Sequence, residues 1–161
     1  MRAMTQRLGK VAALVAIGVA LSSSAAYAQY DAYIELLRQD IKAQKVAILT
    51  EALDLTDEQG SVFWPIHREY EAELAKINDQ RIALIKEYAA NYDTGLTLRR
   101  VREITDQTFK LEQDRSKLRE KYTKKFQDEV NPMAAAKFIW IERLMNNLGD
   151  LQIQTELPFL K

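Results

Sequence analysis

The chain has 161 residues, 23 basic and 23 acidic side chains, and no cysteine. The missing cysteine excludes disulfides, thiol nucleophiles and lipid attachment through sulfur. The formal net charge of zero lacks the basic footprint of a nucleic-acid-binding protein, so no nucleic-acid partner is expected.

The first 28 residues have the pattern of a cleavable secretory signal. Three basic residues precede an apolar run over 11–21, and residues 26–28 have the small-residue pattern of a signal peptidase site. The apolar run is shorter than the roughly 20 residues that cross a bilayer, which favours cleavage over a permanent anchor. We therefore predict a signal peptide over 1–28 and a single exported helical domain over 29–161, with no transmembrane anchor after cleavage.

Charge is unevenly divided along the predicted mature chain. Residues 29–93 hold 7 basic and 13 acidic side chains, whereas residues 94–143 hold 12 basic and 8 acidic ones. This swing indicates two helical arms of opposite charge, and its simplest meaning is that their solvated faces attract each other.

Apolar residues recur at helical spacing along most of this chain. The first predicted helix covers about 31–53. The second begins at Thr56, whose hydroxyl can accept a hydrogen bond from the amide of Gln59 while the Gln59 side chain reaches back, as in a capping box. It runs to about Tyr92, with Gly95 as its stop signal.

A third helix is predicted from about Thr97, with a seam at three- and four-residue spacing that Thr108 and Arg115 interrupt with polar side chains. The apolar members of this seam are Val101, Ile104, Leu111, Leu118 and Tyr122. Asn131-Pro132 ends it and starts a fourth helix, because proline fits the first helical position. Residues from Gln152 onward are expected to fray. The predicted inward seam of the fourth helix consists of Ala134, Phe138, Ile141, Met145 and Leu148.

The starts of the second and fourth helices form a weak repeat with an offset of 75 residues. Leu55-Thr56 corresponds to Val130-Asn131, and Phe63 corresponds to Phe138. Either duplication or chance could produce this match. In both cases, a capped start followed by an apolar stripe would set the two helices into similar packing.

Leu55, Thr56 and Gln59 match the LTxxQ motif of helix starts, and through it the chain resembles the Spy/CpxP family of periplasmic proteins. Residues 130–134 look like a degraded second copy. The resemblance implies an all-α fold of four amphipathic helices in long hairpins, forming an elongated, dimeric cradle in the periplasm. It also implies an ATP-independent chaperone for unfolded or misfolded envelope proteins, with no cofactor. An envelope-stress adaptor that binds the periplasmic domain of a sensor kinase, a metal-stress sensor and a structural dimer remain open.

Two predicted helices of about 35 residues each are too long to wrap one compact core, so their apolar faces need a second subunit or another partner. The third helix also alternates aromatic and cationic side chains, which suits contact with apolar and acidic segments of client proteins. Alternatively, the aromatics are core and the lysines are merely solvated. The candidate client or partner contacts are Phe109, Lys110, Lys117, Lys121, Tyr122 and Phe126.

Pro65 lies well inside the second helix, where it removes a backbone amide and clashes with the carbonyl of Ser61. We therefore predict a helix kink at Pro65. Catalytic constellations are not evident, because His67 is the only histidine and has no matching nucleophile or ligand set. The sequence thus predicts a binding protein and no enzyme, catalytic site or metal site.

Overall fold

The computed structural model describes residue 36, residues 39–91 and residues 95–155, the last four by their backbone alone. The predicted signal peptide and the predicted start of the first helix lie outside these residues. The chain divides into two compact units, 1–43 and 44–161. The side-chain contacts described below lie within the second unit.

All regular structure in the described residues is α-helical. Helix α1 covers 39–53. It is followed by α2 (Asp57–Asn91), α3 (Leu98–Glu129) and α4 (Pro132–Thr155). The all-α prediction is therefore confirmed, and α4 continues past Gln152, where fraying was predicted.

Side-chain caps explain where the last three helices begin. At the start of α2, Thr56 Oγ1 accepts from the Gln59 amide and Gln59 Oε1 accepts from the Thr56 amide, both at 3.2 Å. Thr97 Oγ1 caps α3 in the same way, and Asn131 Oδ1 accepts from the Ala134 amide at 2.7 Å to cap α4. Each cap satisfies an amide that has no partner within its own helix.

The residue that follows helix α1 has unusual backbone geometry. Asp54 has a φ of 47°, in the left-handed region that short polar side chains tolerate better than others. Lys137 of α4 donates from Nζ to the Ala52 carbonyl oxygen at 2.6 Å. A cation thus lies at the carboxyl end of α1, where the helix dipole favours positive charge.

Helices α2 and α3 lie side by side in antiparallel order. Glu87 pairs with Arg100 near one end, while Glu73 pairs with Lys121 at 2.9 Å further along. The residue numbers fall along α2 as they rise along α3, which defines the antiparallel direction. These contacts join the acidic and basic arms that the uneven charge predicts.

An aromatic cluster forms the centre of the core, where α2, α3 and α4 meet. The Phe63 and Phe126 rings stack with their centroids 4.5 Å apart, and the centroid of the Phe138 ring lies 4.6 Å from that of Phe126. Tyr70 packs edge-on against Phe138 at 5.2 Å. Aromatic pairs at these separations add stabilisation beyond the area they bury.

Leu49 and Leu53 extend this cluster from α1, and both are buried. Leu55 and Val130, the first residues of the two repeat copies, pack against its edge. Corresponding residues at the starts of α2 and α4 therefore contact one continuous core.

Candidate binding surfaces

The structure separates the six predicted contact residues into two groups. Phe109 is 59% exposed, and Lys110 and Lys117 are also on the surface. Lys121 is exposed too, but its ammonium group pairs with Glu73 of α2. Of the six, Phe109, Lys110 and Lys117 are therefore open to a partner.

Tyr122 and Phe126 are core residues, with exposed fractions of 2% and 0%. The Tyr122 hydroxyl donates to Glu73 Oε1 at 2.7 Å, while Phe126 stacks in the aromatic cluster. Both follow Leu118 at four-residue spacing on the inner face of α3. Their assignment to a contact surface is therefore wrong, and the alternative of core aromatics holds for these two.

A small apolar surface lies on the outer side of α3 near its start. We call Leu98, Val101 and Phe109 the α3 patch; all three are exposed, and their spacing puts them on one side of the helix. Arg102 and Lys110 are exposed beside them, and so are Asp106 and Glu112. The α3 patch thus offers apolar contact next to charges of both signs.

A longer apolar surface runs along the outer side of α4. Arg143 lies at its edge, with its guanidinium carbon 5.5 Å from the centroid of the Trp140 ring. Acidic residues are missing from this side over residues 133–151, because Glu142 is buried and Asp150 is held in ion pairs. We call this surface the α4 stripe; it consists of Met133, Ala136, Trp140, Leu144, Leu148 and Leu151.

The α4 stripe was not predicted, because the α4 sequence is apolar on two sides. Leu148 was predicted in the inward seam, yet it is exposed, while Ala134, Phe138 and Met145 are buried as predicted. Glu142 is also buried on the inner side. Trp140, Leu144, Leu148 and Leu151 follow one another at three- and four-residue spacing, and this spacing could have indicated a second apolar side.

A surface groove of about 470 Å³ lies where α1 ends and α2 begins. Leu53, Leu55 and Trp64 give it apolar walls, while Thr56 and Arg68 add polar groups. Pro65 also lines the groove, and α2 continues through this residue without a break in the helix. The LTxxQ motif therefore helps to shape a concave surface, and the kink at Pro65 stays a prediction.

A buried ionic cluster joins α1, α2 and α4. Lys45 Nζ lies 2.8 Å from Glu71 Oε1 and 2.8 Å from Glu142 Oε2. Glu142 Oε1 accepts from the Tyr70 hydroxyl and from Asn146 Nδ2. No sequence pattern predicted this cluster, since Glu142 falls within an apolar stretch of α4.

The members of the cluster hold one another in their charged states. Burial opposes the charge on Glu142, but Lys45 and the hydrogen bonds outweigh it and hold the pKa of this carboxyl below its usual range. Burial likewise opposes the charge on Lys45, whose pKa is nevertheless raised by Glu142 and Glu71. Burial and the nearby Glu142 raise the pKa of the Tyr70 hydroxyl, which stays a donor. These groups fasten helices together and offer no free acid or base.

A second ionic cluster joins α2, α3 and α4. Arg115 binds both carboxylate oxygens of Asp150, with the shorter contact at 2.8 Å, and Arg81 reaches Asp150 Oδ1 at 2.8 Å. Burial would raise the pKa of Asp150, but the two guanidinium groups hold it below its usual range. Arg115, a polar interruption of the α3 seam, thus has a structural partner.

His67 is buried in the core and lies parallel to the Phe63 ring at 5.8 Å. Within the described residues, no three His, Asp or Glu side chains are grouped as metal ligands would be. Over the same part of the chain, none of the helices combines the length and apolar character needed to cross a membrane.

Comparison with known proteins gives no relative for this chain: no protein-family profile, curated protein or solved structure matches it.

Proposed function

We propose that this protein is a periplasmic, ATP-independent chaperone that holds unfolded or misfolded envelope proteins by reversible contact. In this proposal it is a Spy-like homodimer whose α2 and α3 form a long hairpin. The observation that carries the proposal is the α3 patch, where exposed apolar side chains lie among charged residues that include Arg102 and Lys110. The signal-like sequence and the LTxxQ resemblance support the location and the family.

The α3 patch suits weak contact with many different chains. Unfolded proteins expose short apolar segments, which can cover Leu98 and Phe109 without a fixed shape. Arg102 and Lys110 attract acidic stretches over a distance of about 10 Å at moderate salt. A surface of this kind binds briefly, so a held client can leave and fold without nucleotide.

An aggregation assay tests the proposal. Three unrelated denatured proteins are diluted into buffer with a near-stoichiometric amount of this protein and no ATP, and light scattering is followed. We expect suppression with all three. If the protein suppresses the aggregation of none of the three, the chaperone function is contradicted.

Two variants locate the holding surface. Phe109→Ser removes a side chain that is 59% exposed, which should cost about 1 kcal/mol of client contact and raise the amount needed for half suppression about fivefold. Ile48→Ser, a similar change at an exposed residue of α1, is the matched control and should have little effect. Equal effects of the two variants would contradict the role of the α3 patch.

The groove at the start of α2 favours a second candidate function, an adaptor for the periplasmic domain of a sensor kinase. A concave surface with Arg68 at its edge fits one defined partner better than many unfolded ones. Arg68→Glu should then abolish a one-to-one complex with the sensor domain while leaving suppression of aggregation unchanged. Retention of that complex in the variant would refute the adaptor function of the groove.

A further inference from the structure

We propose that the α4 stripe is a self-complementary surface on which a second copy of this chain docks antiparallel, about a two-fold axis near residue 142. This inference names the interface of the proposed homodimer. It does not depend on chaperone activity.

The spacing of the α4 stripe is symmetric along the helix. Its six residues follow one another at intervals of 3, 4, 4, 4 and 3 residues, so they read the same from either end. The mean interval is close to the 3.6 residues of one helical turn, which keeps all six on one side of α4. The midpoint of the series falls at residue 142.

This symmetry gives each side chain a suitable neighbour in an antiparallel pair. Trp140 of one copy lies opposite Leu144 of the other, and Met133 lies opposite Leu151. Ala136 lies opposite Leu148, so a small side chain leaves space for a large one. A two-fold axis requires such reciprocal contacts, in which the same surface serves on both copies.

The charges near the α4 stripe are compatible with this register. Lys137 falls opposite Asn147, and Arg143 falls opposite Ile141, so no cation lies directly across from another. Arg143 is exposed at the edge over the Trp140 ring, where its charge can stay in water. Lys137 donates to the Ala52 carbonyl oxygen at 2.6 Å, so its ammonium group keeps a hydrogen-bond partner within its own copy.

The exposed apolar area is sufficient for a small specific interface. Met133, Trp140, Leu144 and Leu151 each have more than half of their surface exposed. At about 200 Å² for a large side chain, the stripe offers roughly 600 Å² per copy, or about 1,200 Å² for the pair. That is the lower end of specific interfaces, so we expect a weak and reversible dimer.

The α3 patch is less suited to this role. It is shorter, its large side chains are not symmetrically spaced, and two cations flank it. Assigning the α4 stripe to the second copy leaves the α3 patch open for other partners.

Sedimentation analysis over a range of concentrations tests the interface. We expect the purified protein to pass from monomer to dimer, and Trp140→Lys and Leu144→Lys each to raise the dissociation constant at least about 30-fold, because each change enters the interface twice. Phe109→Lys is the matched control on another exposed surface and should dimerise normally. A monomer at about 100 µM, or a dimer that only Phe109→Lys disrupts, would overturn the proposal.

Cysteine cross-linking tests the register, and the natural chain gives no background because it has no cysteine. Ala136→Cys mixed with Leu148→Cys should form a mixed disulfide between copies under mild oxidation. Ala136→Cys alone should not, since two copies of residue 136 lie about 18 Å apart along the helices, well beyond disulfide reach. Cross-linking of Ala136→Cys to itself, without the mixed product, would overturn the antiparallel register.

The two proposals fail separately. A dimer that suppresses no aggregation contradicts the chaperone function alone. A monomer that suppresses aggregation contradicts the α4 interface alone.

Discussion

Replacement of Lys45 by methionine should be among the most destabilising single changes in the chain. Lys45→Met keeps most of the aliphatic stem but removes the ammonium group that lies 2.8 Å from Glu71 and 2.8 Å from Glu142. The Glu142 side chain has no exposed surface, so its carboxylate then remains buried without a counter-charge. Breaking a buried ion pair in this way costs about 3–5 kcal/mol.

The structure points to the lower end of that range. Glu142 keeps its hydrogen bonds from Tyr70 and Asn146 after the change, and the Glu71 side chain is partly exposed. We therefore expect Lys45→Met to lower the free energy of unfolding by about 3 kcal/mol. Lys45→Met/Glu142→Gln should recover about 2 kcal/mol of this loss, because glutamine can still accept from Tyr70 and carries no charge.

Urea unfolding at pH 7, followed by helical circular dichroism at one fixed protein concentration, measures these differences. Lys124→Met is the control, because Lys124 pairs with Glu120 in a bridge whose two side chains are 67% and 66% exposed. Such a surface pair should contribute little to stability, because water screens both charges. If Lys45→Met costs no more than Lys124→Met, or if the double variant is no more stable than the single one, the buried charge is not the source of the stability.

Three further predictions follow from local contacts. Thr56→Ala and Asn131→Ala each remove a helix cap and should lower stability by about 1 kcal/mol in urea unfolding, whereas Thr50→Ala, within α1, should change it by less; equal losses at all three would refute the role of the caps. The pKa of Asp150 is lowered in the folded protein, so its contribution is complete above its usual pKa of 3.8 and is lost as the pH falls through and below that value. Asp150→Asn should therefore flatten the loss of stability in acid, and an unchanged pH profile would contradict this. Pro65→Ala should change the solution scattering profile, because the predicted kink at Pro65 bends α2. An identical profile and an unchanged oligomeric state would refute the kink.

Local signals in the sequence predicted the helix boundaries well. The second helix was expected from Thr56 to about Tyr92, and α2 covers Asp57–Asn91. The caps explain this agreement, because a capping side chain bonds to an amide only three residues away. The apolar members of the predicted α3 seam are buried at Ile104, Leu111, Leu118 and Tyr122, whereas Val101 is exposed.

Contacts between distant residues could not be predicted in the same way. The α4 sequence has apolar residues on two sides, and only the position of α2 and α3 decides that Phe138 turns inward and Trp140 outward. Tyr122 and Phe126 look like surface aromatics because lysines adjoin them in sequence, yet adjacent residues point to different sides of a helix. The pairing of Lys45 with Glu142 requires α1 and α4 to meet.

The contacts of α4 also bear on the order in which the protein can fold. Tyr70 reaches Glu142 across 72 residues, and Lys137 reaches Ala52 across 85. A chain that emerges from a ribosome or an export channel amino end first cannot form these contacts until α4 has followed. Until then Phe63 and Phe126 lack the Phe138 ring, so the incomplete chain keeps an open aromatic surface. The residues that close the core of this fold therefore come late in the chain.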